Sequence, residues 1–169
     1  SAVGFREICG AEVAFKLVCV IEDREPEELL PFYADMLCIA VVADVMPLVN
    51  ENRSIVKEGL LKLKNSPRTG LQALMNAAAL DRAGINAGRV AFGLAPRINA
   101  AGRMGDASRA LKLLLCDDVK TALDIANELD AENTRRRENE KAIYEQAQSQ
   151  IDGGLKYDRV IVVSGENWH

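Results

Sequence analysis

The stretch from Val119 to about Ile151 constrains this chain most, because Ala122, Leu123, Ala126 and Leu129, then Ala142, Ile143 and Ala147, recur at helical spacing. Between these two apolar ends lies DAENTRRRENEKA, which is almost wholly polar. At about 1.5 Å per residue such a helix spans roughly 50 Å. A helix apolar at both ends and polar between them is the pattern of a bridge between two domains. Asp117 or Asp118 supplies its N-cap, and Asp152-Gly153-Gly154 ends it. The triple arginine Arg135 to Arg137 sits among Glu132, Glu138 and Glu140, so ion pairs at helical spacing account for it.

The remainder also reads as mainly helical. GAEVAFKLVCVI is in a helical pattern by residue 11, with no capped lead-in, and Glu25-Pro26-Glu27-Glu28 opens a second helix. The apolar run from Leu29 to Met46 continues it, with a strand-like end at CIAVVADV, until Pro47 breaks it. Asn50 or Asn52 caps a third helix to about Leu63, and a basic turn from Lys64 to Gly70 leads to a short helix from Leu71 to Leu80. Asp106-Ala107-Ser108 starts another, with Ala110, Leu111, Leu114 and Leu115 on its apolar side. Arg159 to Val163 is β-branched and reads as a strand, but one strand cannot form a sheet alone.

An aromatic content of 5% argues against an RNA-binding sheet built on stacked aromatics. No apolar run approaches the roughly 20 residues needed to span a bilayer, and the start lacks a signal-peptide pattern, so the reading is cytoplasmic. Cys9, Cys19, Cys38 and Cys116 are widely spaced and the chain has a single histidine, which excludes a zinc set and makes the cysteines small buried hydrophobes. The net charge of −4 hides three blocks: −7 over residues 1–52, +8 over 53–112 and −5 over 113–169. A central basic block suits a phosphate-bearing partner, although a solvated face would look the same.

Within that block lies FGLAPRINAAGRM, Phe92 to Met104, where two arginines stand among glycines, alanines and an asparagine. Small residues let a backbone or a phosphodiester come close, or allow tight helix packing. Pro96 rules out an uninterrupted helix here and biases Ala95 to an extended shape, placing Arg97 at a turn or in the first turn of a new helix beside free amides.

This string resembles the motif that follows the phosphoesterase domain in RecJ-like exonucleases of the DHH phosphoesterase family, which degrade single-stranded DNA from the 5′ end. The resemblance extends through GAEVAFKL (Gly10 to Leu17), VVADVMPLVNENR (Val41 to Arg53), GDASRALKLLL (Gly105 to Leu115) and VIVVSGENWH (Val160 to His169), in the family's order. It implies an α/β fold class: a predominantly helical fragment of a DHH domain over residues 1–105, a connecting helical segment over 106–152, and the first strand of a truncated DHH-associated domain over 153–169. Catalysis in such enzymes uses two divalent ions, Mn2+ or Mg2+, held by hard oxygen ligands. The resemblance carries the role of catalytic metal ligand to Asp44, the one carboxylate within CIAVVADVMPL; without it Asp44 reads as a helix-end residue. Substrate contacts fall to Arg97, Asn99 and Arg103, for the DNA backbone and 5′ phosphate, and to His169 in the second domain, beside Trp168.

The DHH triplet and the other early metal ligands do not occur, so the chain reads as a fragment, inactive alone, of an enzyme of DNA repair and recombination. Single-stranded DNA, with a helicase and a single-strand-binding protein, are the implied partners. Two alternatives stand beside this reading. One is another DHH phosphoesterase, a nanoRNase or cyclic-dinucleotide phosphodiesterase, which the long linker disfavours. The other is a non-catalytic DNA-binding scaffold.

Overall fold

The computed structural model describes residues 5–103, 107–155, 160–166 and 168. Helices α1 (Gly10–Glu22), α2 (Pro26–Ala43), α3 (Asn50–Lys64) and α4 (Thr69–Ala77) are followed by α5 (Ala87–Arg89). A π-helical segment (Val90–Leu94) joins α5 directly to α6 (Ala95–Arg103). Then come α7 (Ser108–Leu114), α8 (Val119–Gln150) and a second π segment (Ile151–Leu155). The predominantly helical character expected of the fragment is present: the described residues are mostly helical and contain no strand, and Val160 to Val163 is irregular. Val160 and Val162 are exposed there, because a lone strand finds no neighbour to complete its hydrogen bonds. The strand-like end expected for the second helix is also absent; α2 stays helical to Ala43.

Antiparallel α2 and α3 form the central pair, joined by the loop that Pro47 opens. Their closest approach is at Gly59, where a Cβ atom would lie 2.2 Å from the Ala34 carbonyl oxygen and 2.2 Å from the Cys38 Cβ. Asn52 does not cap α3. Its amide is buried and donates to the carbonyls of Glu7 (2.8 Å) and Pro47 (3.0 Å), tying the N-terminal segment and the loop to α3. The start of α1 has the lead-in the sequence reading lacked: Glu12, fully buried, accepts from the Cys9 amide at 2.7 Å.

Around this pair, α4, α6 and α7 pack on the first half of α8, and Leu71, Leu74, Met75, Leu94, Leu113 and Leu129 form a core. Ala110 and Leu113 face inward from α7, whereas Leu111 and Leu115 are exposed, correcting the apolar side expected for that helix. Asp118 caps α8 by accepting from the Thr121 amide at 2.8 Å. Buried side chains on α8 end at Asn133, and beyond it the helix is mostly solvated, with Ile143 and Ala147 of its second apolar end half-buried. Helix α1 buries Phe15 and Cys19 yet leaves Val13, Leu17, Val20 and Ile21 exposed, the last two at 77% and 73%.

Three cysteines are buried as expected, but Cys116 is only half-buried. Burial beside Asp35 pushes the Cys38 thiol up to about 12. Two outcomes follow. Gly59→Ala should destabilise by about 1–3 kcal/mol through overpacking, read as a lower urea midpoint, whereas Gly102→Ala, with open space around it, should not lower that midpoint. A thiol-reactive disulfide reagent at pH 8 should modify Cys116 first and leave Cys38 unmodified until the chain is unfolded, because the reactive thiolate is scarce on Cys38.

Candidate nucleic-acid and metal-facing site

Helix α2 ends in a Schellman motif. The Met46 amide reaches the Val41 carbonyl (3.1 Å) and the Val45 amide reaches Val42 (3.2 Å), with Val45 in the left-handed region at φ 54°. Glycine is usual at this position, and a β-branched residue there is strained. This turn sets the exposed Asp44 at the end of α2, where its carboxylate makes no hydrogen bond or ion pair among the described residues. The buried carboxylate of α2 is Asp35, whereas Asp44 stands exposed as the C-cap residue of that helix. Asp35 accepts from the Met36 amide (2.9 Å), the Ser66 hydroxyl (2.8 Å) and Arg68 Nε (3.3 Å). Arg68 also donates to the Phe32 carbonyl at 2.8 Å, so this cluster pins the turn before α4 onto α2.

The FGLAPRINAAGRM segment is not a turn. From Ala87 to Arg103 the chain is continuously helical, and Ala95 is helical (φ −55°, ψ −43°) rather than extended. The π segment explains this: the Ala95 amide bonds five residues back to Val90, shifting the hydrogen-bond ladder where Pro96 has no N–H to give. No new helix starts at Arg97, so the free amides expected beside it are replaced by a carbonyl. Arg97 Nη1 donates to Gly93 O at 2.5 Å, while Nε and Nη2 hold Asp130 of α8 at 2.8 and 2.6 Å. The Arg97 side chain is only 13% exposed.

Asn99 takes a different direction. It is exposed and lines, together with Asp44, Ala40, Ala95 and Ile98, a largely apolar cavity of about 450 Å³ between α1, α2 and α6. The structure thus brings Asp44 and Asn99 to one cavity and turns Arg97 towards α8. Arg103 lies in the last turn of α6; its side chain and His169 fall outside the described residues. A neighbouring pair, Arg109 to Glu132 at 2.6 Å, ties α7 to α8 two residues from Asp130. Asp35, Asp130, Glu132 and the strained Val45 carried no signal in the sequence: their partners lie about 30 positions away, or, for Val45, the residue type argues against the conformation.

Asp44 is a hard oxygen donor at the edge of a largely apolar cavity, and a divalent-metal set needs further oxygen ligands beside it. Among the described residues no group of three or more His, Cys, Asp or Glu side chains is placed to hold a metal.

No family model matches the chain. Among curated proteins it is similar to the single-stranded-DNA-specific exonuclease RecJ of Thermus thermophilus, 40% identical over 147 residues, which is 87% of this chain and 22% of that protein. It is also similar to RecJ of Bacillus subtilis, 34% identical over 98% of this chain and 20% of that protein. The chain therefore spans about a fifth of the length of the curated relatives it matches. Its fold matches the crystal structure of Thermus thermophilus RecJ in complex with Mn2+, at a TM-score of 0.77 and 38% identity, over 90% of this chain and 23% of that one. It likewise matches a manganese-bound exonuclease RecJ at a TM-score of 0.75, over 88% of this chain and 38% of that one.

Replacing Val45 by glycine should relieve left-handed strain of about 1–2 kcal/mol, partly offset by the freer unfolded chain. The expected outcome is an unchanged or raised melting temperature, whereas Val42→Gly, inside α2, lowers it.

Proposed function

We infer from its standing as a segment of the RecJ exonuclease family that this chain forms part of a metal-dependent enzyme hydrolysing single-stranded DNA from the 5′ end. The observation that carries the reading is the convergence of Asp44 and Asn99 on one cavity. In the parent enzyme Asp44 supplies one ligand to divalent ions, Mn2+ or Mg2+. Such ions activate the attacking water and stabilise charge on the phosphoryl group. What this chain's residues do is hold the substrate beside that ligand. Asn99 donates a neutral hydrogen bond to a backbone phosphate from the cavity wall.

Arg97 keeps donor positions beyond those used on Asp130 and Gly93, so a phosphate can share its guanidinium, with Arg103 about one and two-thirds turns further along the helix. None of these contacts reads a base, which suits a nuclease acting on any sequence. The exposed face of α1 supports packing against further parts of a larger domain, since a helix apolar on both sides is normally covered on both. Within the parent we assign residues 1–105 to the DHH domain, 106–152 to the connector and 153–169, with His169, to the start of the DHH-associated α/β domain, whose first strand pairs only with its neighbours there. The setting is cytoplasmic DNA repair and recombination, with a helicase and a single-strand-binding protein as partners. No described helix is long and apolar enough to cross a membrane.

In the full-length parent, Asp44→Ala should abolish manganese-dependent release of mononucleotides while leaving DNA binding intact. Arg97→Ala should weaken binding and lower its salt dependence, whereas Asn99→Ala should weaken binding with the salt dependence unchanged. The purified chain alone should release no nucleotides; robust release by it would refute the incomplete metal set.

A further inference from the structure

The +8 block is not uniformly available to a ligand. Arg68, Arg89, Arg97 and Arg109 each pair with a carboxylate: Asp35, Asp81, Asp130 and Glu132. Four other cations, Arg53, Lys57, Lys62 and Lys64, all belong to α3, and none makes an ion pair among the described residues. At about 100° per residue, Arg53, Lys57 and Lys64 fall within about 40° of one another on that helix. Glu51, Glu58 and Lys62 lie on a flank about 100° or more away, and Glu51 there is taken by Lys16 of α1. One flank of α3 is thus purely basic. It rises about 16 Å along the axis, with Arg53 and Lys57 exposed and Lys64 half-buried.

The stripe starts at the end of the α2–α3 pair where α2 finishes, since Cys38 meets Val56 and Gly59 on the facing helix. Arg53 stands in the first turn of α3, and the loop joining α3 to Asp44 is fixed by the Asn52 amide on the Pro47 carbonyl. A row of unneutralised cations on one helix flank matches a polyanion lying along that helix. We propose that the flank of α3 carrying Arg53, Lys57 and Lys64 binds the phosphate backbone of single-stranded DNA running to or from the Asp44 cavity. The proposal rests on the reading of the parent as acting on such DNA, but it places contacts on a helix outside the FGLAPRINAAGRM segment.

The test is fluorescence anisotropy of a labelled oligothymidylate with the 169-residue chain, titrated over salt, for the wild type, the triple variant R53E/K57E/K64E and Asn99→Ala. Circular dichroism melts confirm that each variant folds. If three phosphate contacts are lost, the salt slope should fall by about 2 and affinity at low salt by about tenfold or more. The triple glutamine variant should show the same direction with a smaller loss. Unchanged affinity and slope in folded triple variants would overturn the proposal and leave the stripe a solvated face. So would binding of the wild type to anionic phospholipid vesicles but not to the oligonucleotide. Loss confined to the α3 variants, with Asn99→Ala unaffected, would uphold the stripe while refuting the role of Asn99. Loss confined to Asn99→Ala would do the reverse.

Discussion

The pairing of central arginines with carboxylates from the flanking acidic segments is the constraint on which the arrangement depends. Asp35, from the acidic first block, receives Arg68; Asp130 and Glu132, from the acidic last block, receive Arg97 and Arg109. Each pair joins a helix to an element distant in sequence: α2 to the turn before α4, α6 to α8, and α7 to α8. Partly buried pairs of this kind contribute little net stability against well-packed apolar substitutes, yet removing one partner leaves an uncompensated charge. Their effect is therefore on placement. A slip of α6 along α8 would unpair Arg97, so α6 has one position relative to α8, and through it one position relative to α2.

That position divides the work of the FGLAPRINAAGRM segment. The π segment and the Arg97 to Asp130 pair fix the rotation of α6, and that rotation presents Asn99 to the cavity shared with Asp44. Arg97 is first an anchor between helices, and any phosphate it meets finds its guanidinium already oriented. Orientation by a second group lowers the entropy lost when a long side chain binds an anion. The small residues have a packing use as well: Ala100 and Ala101 are buried, while Gly102 has open space around it.

Much of the helical plan was legible, because amphipathic spacing, Pro47 and the Asp118 cap are local signals. Helix ends were less so. Helices α1, α2 and α4 all finish with a left-handed residue, but these are Asp23, Val45 and Ala79, none of them the glycine that marks such an end in a sequence. The blocks of charge were visible, whereas their mutual neutralisation was not, since it depends on pairs about 30 residues apart. The same distance hid Asp35, which reads as one acidic residue in an apolar run until Ser66 and Arg68 arrive from beyond α3. The described residues of the Arg159 to Val163 stretch form no strand, because a ladder needs a partner.

Two features then acquire a common explanation. Val45 is held in a conformation that costs a β-branched residue about 1–3 kcal/mol, and α1 exposes Val20 and Ile21 to solvent. A local strain persists only where the surroundings over-determine it, and a broad apolar face persists only where something covers it. Both lie on elements that border the cavity lined by Asp44, and both are the kind of feature that packing against a further surface would compensate. The strain at Val45 is then tied to the direction of the chain as it leaves Asp44. A relaxed turn would let α2 end differently, whereas the left-handed residue turns the chain away from the helix axis directly after Asp44, which lines the cavity edge.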